Sequence, residues 1–259
     1  ENRTRIKLPR RTYTIIRIDG KAFHTYTKGL QRPFDEGFIE DMDETAIYLC
    51  KNIQGAKAAF VQSDEISILL TDFDKVGTCA WFDGNIQKIV SISASFATAK
   101  FNQLRSRRAL LDNQVQFYKE LDLDFKITTD KGGRQNKSRA LQSNQKCFNA
   151  LSLAMFDART FTIPHKTEVN NYFLWRQQDT VRNSVQSVAQ SLYSHKELEG
   201  KNTKDLQELI FQKGTNWNDY DAKLKRGRLI KKETYENNGA ERTRWVSVGA
   251  PHFIQDSII

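Results

Sequence analysis

Asp19 and the pair Asp64-Glu65 are the acidic residues whose settings invite chemistry. Asp19 follows the β-branched run Thr12–Ile18 and precedes Gly20, while Asp64 and Glu65 open the apolar run Glu65–Thr71, 45 residues downstream. Hard carboxylates brought side by side are what Mg²⁺ prefers, and two such ions ~3.5–4 Å apart drive in-line phosphoryl displacement. Asp, Ser and Gly also dominate ordinary turns, so Asp19-Gly20 and Ser63-Asp64 read equally well as turn residues alone. Next comes Gly20-Lys21-Ala22-Phe23-His24. A bend at this glycine lets successive N–H groups cradle a triphosphate, with Lys21 beside them. The segment is not the GxxxxGK[ST] phosphate loop. Four histidines (24, 165, 195, 252) lie scattered, so neither a Ser–His–Asp nor a Cys–His order can be argued. HExxH and other zinc spacings are missing, which disfavours a zinc hydrolase.

These residues need elements to position them. Thr12–Ile18 reads as a strand running into a turn. Ile39, Met42, Ala46, Leu49, Cys50 and Ile53 fall at helical spacing, predicting a helix over Glu36–Ile53. Ala58–Gln62 and Glu65–Thr71 are short strands separated only by Ser63-Asp64, which predicts a tight hairpin. Apolar residues from Phe82 to Leu104 mark a long helix, and Leu153–Ile163 a strand broken around Asp157-Ala158-Arg159. The order strand–helix–strand–strand–helix–strand predicts an α+β fold with a ferredoxin-like antiparallel sheet, its first and third strands central neighbours. That adjacency brings Asp19 to Asp64.

Thr128–Gln145 is polar, basic and Gly-containing, and reads as a surface loop. The rest is mostly helical: Val181, Val185, Val188, Ala189 and Leu192 share one face, and Thr203–Lys213 ends at Gly214. Arg228–Tyr235 and Arg242–Val248 flank Asn237-Asn238-Gly239 as a basic hairpin. No linker rich in Gly, Pro or Ser is visible. The division expected is a catalytic domain over 1–165 and a helical and hairpin region over 166–259 docked on it.

With 39% hydrophobic and 27% charged residues among 259, the chain can bury a core, and wholesale disorder is excluded. No apolar run approaches the ~20 residues of a membrane helix. Cys50, Cys79 and Cys147 form no CxxC pair, so a disulfide framework and a zinc ribbon are both disfavoured and a reducing cytoplasm is expected. Net charge is +9. Residues 100–146 hold eleven Lys/Arg against five acids, and 223–244 hold eight against three. Two basic patches on a neutral body fit a phosphate-backbone partner, with Arg105, Arg107 and Arg108 as contacts. Tyr172, Phe173 and Trp175 lie beside Arg176 and Arg182. Phe173 and Trp175 are expected to seal the helix against the sheet, and the two arginines to meet phosphate.

The segments RIDGKAFH (17–24), RPFD (32–35), QSDE (62–65), SASFATAKF (93–101), FDAR (156–159) and YFLWRQQDTVRNS (172–184) occur in this order. As a set they resemble the tRNA-His guanylyltransferase family, polymerases that add nucleotides in the 3′–5′ direction. The resemblance implies a palm fold shared with 5′–3′ polymerases and nucleotide cyclases. It implies two Mg²⁺ ions on Asp19 and Asp64 with the Gly20 carbonyl, and a triphosphate cradled by Lys21, Ala22, Phe23 and His24. Ser63 and Glu65 flank the second carboxylate, and Arg32 and Asp35 serve the chemistry of the 5′ end. ATP, GTP and other nucleoside triphosphates are the implied substrates, tRNA the partner, and a homo-tetramer the assembly. Arg159 and Asn183 join the expected RNA contacts.

One departure matters. Eukaryotic members carry His-Ile-Asn-Asn where this chain has Val181-Arg182-Asn183-Ser184. The chain is therefore more similar to the Thg1-like branch, which repairs 5′-truncated tRNA against the opposite strand. The alternative is a dedicated guanylyltransferase of histidine tRNA. A nucleotide cyclase would need no basic patches, and a non-catalytic RNA-binding module would need no converging carboxylates.

Overall fold

The computed structural model describes residues 5–130 and 153–258. Six strands form one sheet in the order β4-β1-β3-β2-β5-β6. They are β1 (Tyr13–Gly20), β2 (Ala56–Gln62), β3 (Glu65–Leu70), β4 (Phe156–Ile163), β5 (Arg228–Asn237) and β6 (Ala240–Gly249). The helices are α1 (Phe23–Tyr26), α2 (Glu36–Asn52), α3 (Ile86–Asp130), α4 (Lys166–Leu192), α5 (His195–Leu198), α6 (Thr203–Gln212) and α7 (Ala222–Arg226). All the strand pairings are antiparallel, and β1 and β3 are neighbours as expected, with Ile16 opposite Ile68 and Ile18 opposite Ile66. One step further, Asp19 comes level with Glu65.

Alternation along the strands divides the core. Ile16, Ile18, Ile66 and Ile68 face α2 and α3, where Met42, Leu49 and Phe101 are fully buried. Ile15, Phe60 and Leu69 face the other way, onto Val169 and Phe173 of α4 and Phe253 of the C-terminal tail. Farther along α4, Val185, Val188 and Ala189 pack on Leu206 and Ile210 of α6. The first part of α4 thus covers the sheet and its second part carries the small helices.

Several boundaries differ from the sequence reading. Asp19 lies inside β1, because β4 pairs alongside it through Asp19–Asp157 and Gly20–Phe156. The same pairing keeps β4 continuous where a break was expected. α3 starts at Ile86 rather than Phe82, since Phe82 and Asp83 adopt left-handed φ of 50° and 52°. From residue 131 on, the polar stretch 128–145 lies outside the described residues. β5 pairs with β2 only as far as Lys231 opposite Ala58; beyond it, β5 and β6 continue as a two-stranded arm. Asn238 and Gly239, at φ 54° and 74°, close its tip in the left-handed conformation that such two-residue turns demand. Cys50 and Cys79 are free thiols. Among the described residues no helix is long and apolar enough to cross a membrane.

Candidate active site

Two turns at one end of the sheet build the site. Ser63, first of the two residues joining β2 to β3, has φ 44°. Ala22, which starts α1, has φ 56° and accepts at its carbonyl from the N–H groups of Thr25 and Tyr26. Left-handed backbone at non-glycine residues is strained and collects at functional sites. The Lys21 N–H is spent on the Met155 carbonyl at 2.8 Å. The N–H groups of Ala22, Phe23 and His24 have no protein acceptor among the described residues. Phe23 itself is a core residue, its ring among Tyr26, Phe38, Phe101 and Phe156. A Cβ on Gly20 would stand 2.3 Å from that ring, so glycine is required there for close approach. Only the backbone of Phe23 is left to meet a ligand.

Beside these turns opens a cavity of about 600 Å³ whose wall includes Asp19, His24, Arg32, Asp35, Ser63 and Asp64. Glu65, Arg176 and Asn183 also line it; Gly20, Lys21, Ala22 and Phe23 do not. Burial pushes the Asp64 carboxyl up to about 6; the negative charges of Asp19 and Glu65 add to this, and hydrogen bonds from Ser63 and its own backbone oppose it. Among the described residues neither Asp19 nor Asp64 forms an ion pair with a base. Among the described residues no three His, Cys, Asp or Glu side chains gather as a preformed metal cluster. The donors at hand are two carboxylates whose repulsion is unrelieved by a base, together with backbone oxygen. That set is hard and anionic, and it fits Mg²⁺. Asp35 caps α2, its carboxylate accepting from the N–H groups of Phe38 at 2.7 Å and Gln31 at 3.1 Å. Arg32, exposed, stands on the short segment those bonds hold.

Other expected residues are placed differently. Arg176 is buried, and grips Glu65 through Nε at 2.8 Å and Nη2 at 2.6 Å, with Asp179 at 3.3 Å. It is therefore an internal brace rather than a surface contact for RNA, and Glu65 is neutralised by it. Ser67 completes the group, donating to Glu65 at 3.2 Å and lying 2.9 Å from the Tyr172 hydroxyl. Phe173 is fully buried against the sheet, whereas Trp175 is half exposed with the Arg176 guanidinium 4.7 Å from its ring centre. Arg105 and Arg108 are also committed to ion pairs within the chain, Arg105 largely buried and Arg108 partly exposed. Both pair with the buried Asp41 of α2, at 3.0 and 2.9 Å, and Arg108 reaches Glu40 as well. Arg107 is exposed. Arg159, exposed on β4, lies 3.9 Å from Asp157, and Arg182 bonds Asp179 at 2.8 Å on the surface.

Sequence reasoning missed Asp179, Thr180 and Arg228 on the cavity wall. Thr180 bonds the Gln62 side chain and the Arg176 carbonyl, tying α4 to the end of β2. The signal for Asp179 and Thr180 was their place within one turn of Arg176 on a helix expected to pack on the sheet.

A family model described as tRNAHis guanylyltransferase matches residues 1–164. The structure is similar to that of a bacterial Thg1-like protein in complex with ATP, with 41% identity and a TM-score of 0.76 over 98% of this chain and 91% of that one. A complex of a bacterial Thg1-like protein with GTP matches at 40% identity and a TM-score of 0.73, covering 98% and 90%. The tRNA(His) guanylyltransferase of Saccharomyces cerevisiae is 25% identical over 84% of this chain and 81% of its own length.

Proposed function

The chain belongs to the tRNA-His guanylyltransferase family, whose members are tRNA nucleotidyltransferases, and from that premise we propose that it extends tRNA at the 5′ end, in the 3′–5′ direction, copying the opposite strand to restore truncated ends. The observation that carries this reading is the meeting of Asp19 and Asp64, without a basic partner among the described residues, in a cavity that also holds His24, Arg32 and Asp35.

Asp19 and Asp64, with the Gly20 carbonyl, would hold Mg²⁺, which when bound offsets charge on the attacking oxygen and on the triphosphate. The chain's own groups do the positioning. The open N–H groups of Ala22 to His24 and the Lys21 ammonium take the triphosphate. Arg32 takes the 5′ phosphate, and Asp35, fastened to two backbone N–H groups, fixes the segment carrying it. Glu65, neutralised by Arg176, holds the hairpin that presents Asp64.

In the reaction so read, a 5′ monophosphate is first activated with ATP, releasing pyrophosphate. The 3′-OH of an incoming nucleoside triphosphate then attacks that phosphorus. A new O–P bond forms, the bond to adenylate breaks, AMP leaves, and the hydroxyl proton passes to water. The palm relationship, the homo-tetramer and a cytoplasmic location belong to this same reading.

Repair is favoured over dedicated guanylate addition by the 41% identity to the bacterial Thg1-like protein against 25% to the yeast enzyme. Val181-Arg182-Asn183-Ser184 in place of the histidine motif points the same way. The test is incubation with tRNAs lacking their first nucleotide, each nucleoside triphosphate in turn, followed by sequencing of the 5′ end. Restoration of the complementary base, changing when the opposing base is changed, is expected. Addition of G whatever the opposing base, and to histidine tRNA alone, would return the chain to the dedicated guanylyltransferases.

A further inference from the structure

Cross-strand register sets two rungs of like charge side by side on the face of the sheet that α4 partly covers. Asp19 stands opposite Asp157, and two residues back along β1, Arg17 stands opposite Arg159. Strand alternation sends Arg17 to the side of Ile15 and Arg159 to the side of Phe161, which is the same side. Like charges directly opposite one another destabilise a sheet, so the arginine rung calls for an anion. Ser67 of β3, its third member, is already engaged with Glu65 and Tyr172, and Glu65 is held by Arg176. Arg159 is exposed, its Nε 3.9 Å from Asp157 and beyond hydrogen-bonding distance. The Arg17 side chain makes no hydrogen bond or ion pair among the described residues, and of its nitrogens only Nε is shielded from solvent. The two terminal nitrogens are open, and they form the planar fork that suits a phosphate.

Position and charge narrow what that phosphate is. Two residues of strand advance roughly 6–7 Å, so the rung lies about one nucleotide step along a polynucleotide backbone from Asp19. The cavity wall includes Asp19 but neither Arg17 nor Arg159. A nucleotide in the cavity and a strand on the rung therefore reach Asp19 from different sides. Two guanidiniums against the Asp157 carboxylate leave a single excess positive charge, which matches a phosphodiester better than a triphosphate. Trp175 of α4, half exposed, stands beside Tyr172 with ring centres 6.2 Å apart. Such an open aromatic face serves a base and does nothing for a free phosphate.

We propose that Arg17 and Arg159 clamp the first internal phosphodiester of the tRNA acceptor strand, the linkage 3′ to its terminal nucleotide, and so seat the 5′ phosphate over Asp19 and Asp64. This rests on the reading of those carboxylates as the site of 5′-end extension. The clamp takes the backbone whatever the base sequence and fixes the strand's register.

The test replaces one charged phosphate of a 5′-truncated tRNA by a neutral methylphosphonate, at the first or at the fourth internal linkage. Equilibrium binding to the full chain and nucleotide addition are both measured. The wild type is expected to bind the first-linkage analogue about tenfold more weakly than unmodified tRNA, as loss of one charged hydrogen-bonded contact implies. The fourth-linkage analogue should bind almost normally. Arg17→Gln and Arg159→Gln should each bind unmodified tRNA about tenfold more weakly and be indifferent to the first-linkage change. Arg159 is exposed, so its variant carries the test even where Arg17→Gln fails to fold. Equal wild-type binding of unmodified tRNA and the first-linkage analogue overturns the clamp. So does an equal loss at both linkages, or a variant that remains as sensitive to the first linkage as the wild type. Linkage-specific loss of binding without any nucleotide addition would defeat the reading of 5′-end extension and keep the contact. Addition without linkage-specific loss would defeat the contact alone.

Discussion

Arg176 reaches from α4 to the Glu65 carboxylate with two hydrogen bonds, both side chains about nine-tenths hidden from solvent. Glu65 is the residue after Asp64, yet the two carboxylates are treated in opposite ways. One is neutralised inside the fold and the other is left to repel Asp19. Of the two neighbouring carboxylates, only Asp64 therefore adds its negative charge to that of Asp19.

Removing one member of the Arg176–Glu65 pair strands the other in the interior. Arg176→Met should lower the unfolding free energy by about 3–5 kcal/mol, and adding Glu65→Gln should recover much of the loss. Urea denaturation of the single and double variants measures this. A loss below ~1 kcal/mol in the single variant would show the pair to be solvent-relaxed.

Asp19→Asn and Asp64→Asn should each reduce turnover on a 5′-truncated tRNA by at least ~10³-fold, because a lost metal clamp removes several kcal/mol of transition-state stabilisation. tRNA binding should hold steady in a filter assay. Near-normal turnover in either variant would remove that carboxylate from the chemistry.

Asp64 also makes stability depend on pH. Its carboxyl, raised to about 6 by burial and by like charge, titrates in an unfolded chain near ~3.9. The folded state therefore binds this proton more readily; the stabilisation is complete below the unfolded value and is lost as pH rises through about 6. With metal chelated, Asp64→Asn should melt above the wild type at pH 7.5, by an equivalent on the order of 2 kcal/mol, and level with it at pH 4. The same difference at both pH values would mean that the carboxylate is not destabilised by its surroundings.

Salt dependence of tRNA binding separates surface arginines from internal ones. Arg107→Glu should flatten the slope of log K against log salt by about one contact while leaving the melting temperature alone. Arg105→Glu and Arg108→Glu should instead destabilise the α2–α3 contact, because each sets a negative charge against Asp41. If all three behave alike, the distinction between the two arginines that pair with Asp41 and Arg107 fails.

The first four strands and the adjacency of β1 and β3 were legible because alternation and a two-residue hairpin leave few ways to pair, whereas the pairing of β5 with β2, which extends the same sheet, was not. The meeting of Asp19 and Asp64 followed from that adjacency alone. What stayed hidden was the destination of the arginines. Arg105, Arg108 and Arg176 look in sequence like Arg107 and Arg182, and only the rotation of α3 and α4 about their axes turns the first three onto carboxylates of neighbouring elements. Asp41, which receives two of them, carried no signal beyond its place on the face of α2 that turns to α3. Arg228 was counted only as part of a basic patch, since its partner Asp43 lies far away in sequence.

The ring of Phe23 against Gly20 divides the turn after β1 into positions of unequal freedom. Gly20 and Phe23 answer to the core, so replacing either would disturb the packing of α2, α3 and β4 before any ligand was involved. Lys21, Ala22 and His24 project outward from that anchor and are exposed. Variation that retunes the turn toward a different phosphate is therefore channelled to three side chains, with the backbone path between them held constant from beneath.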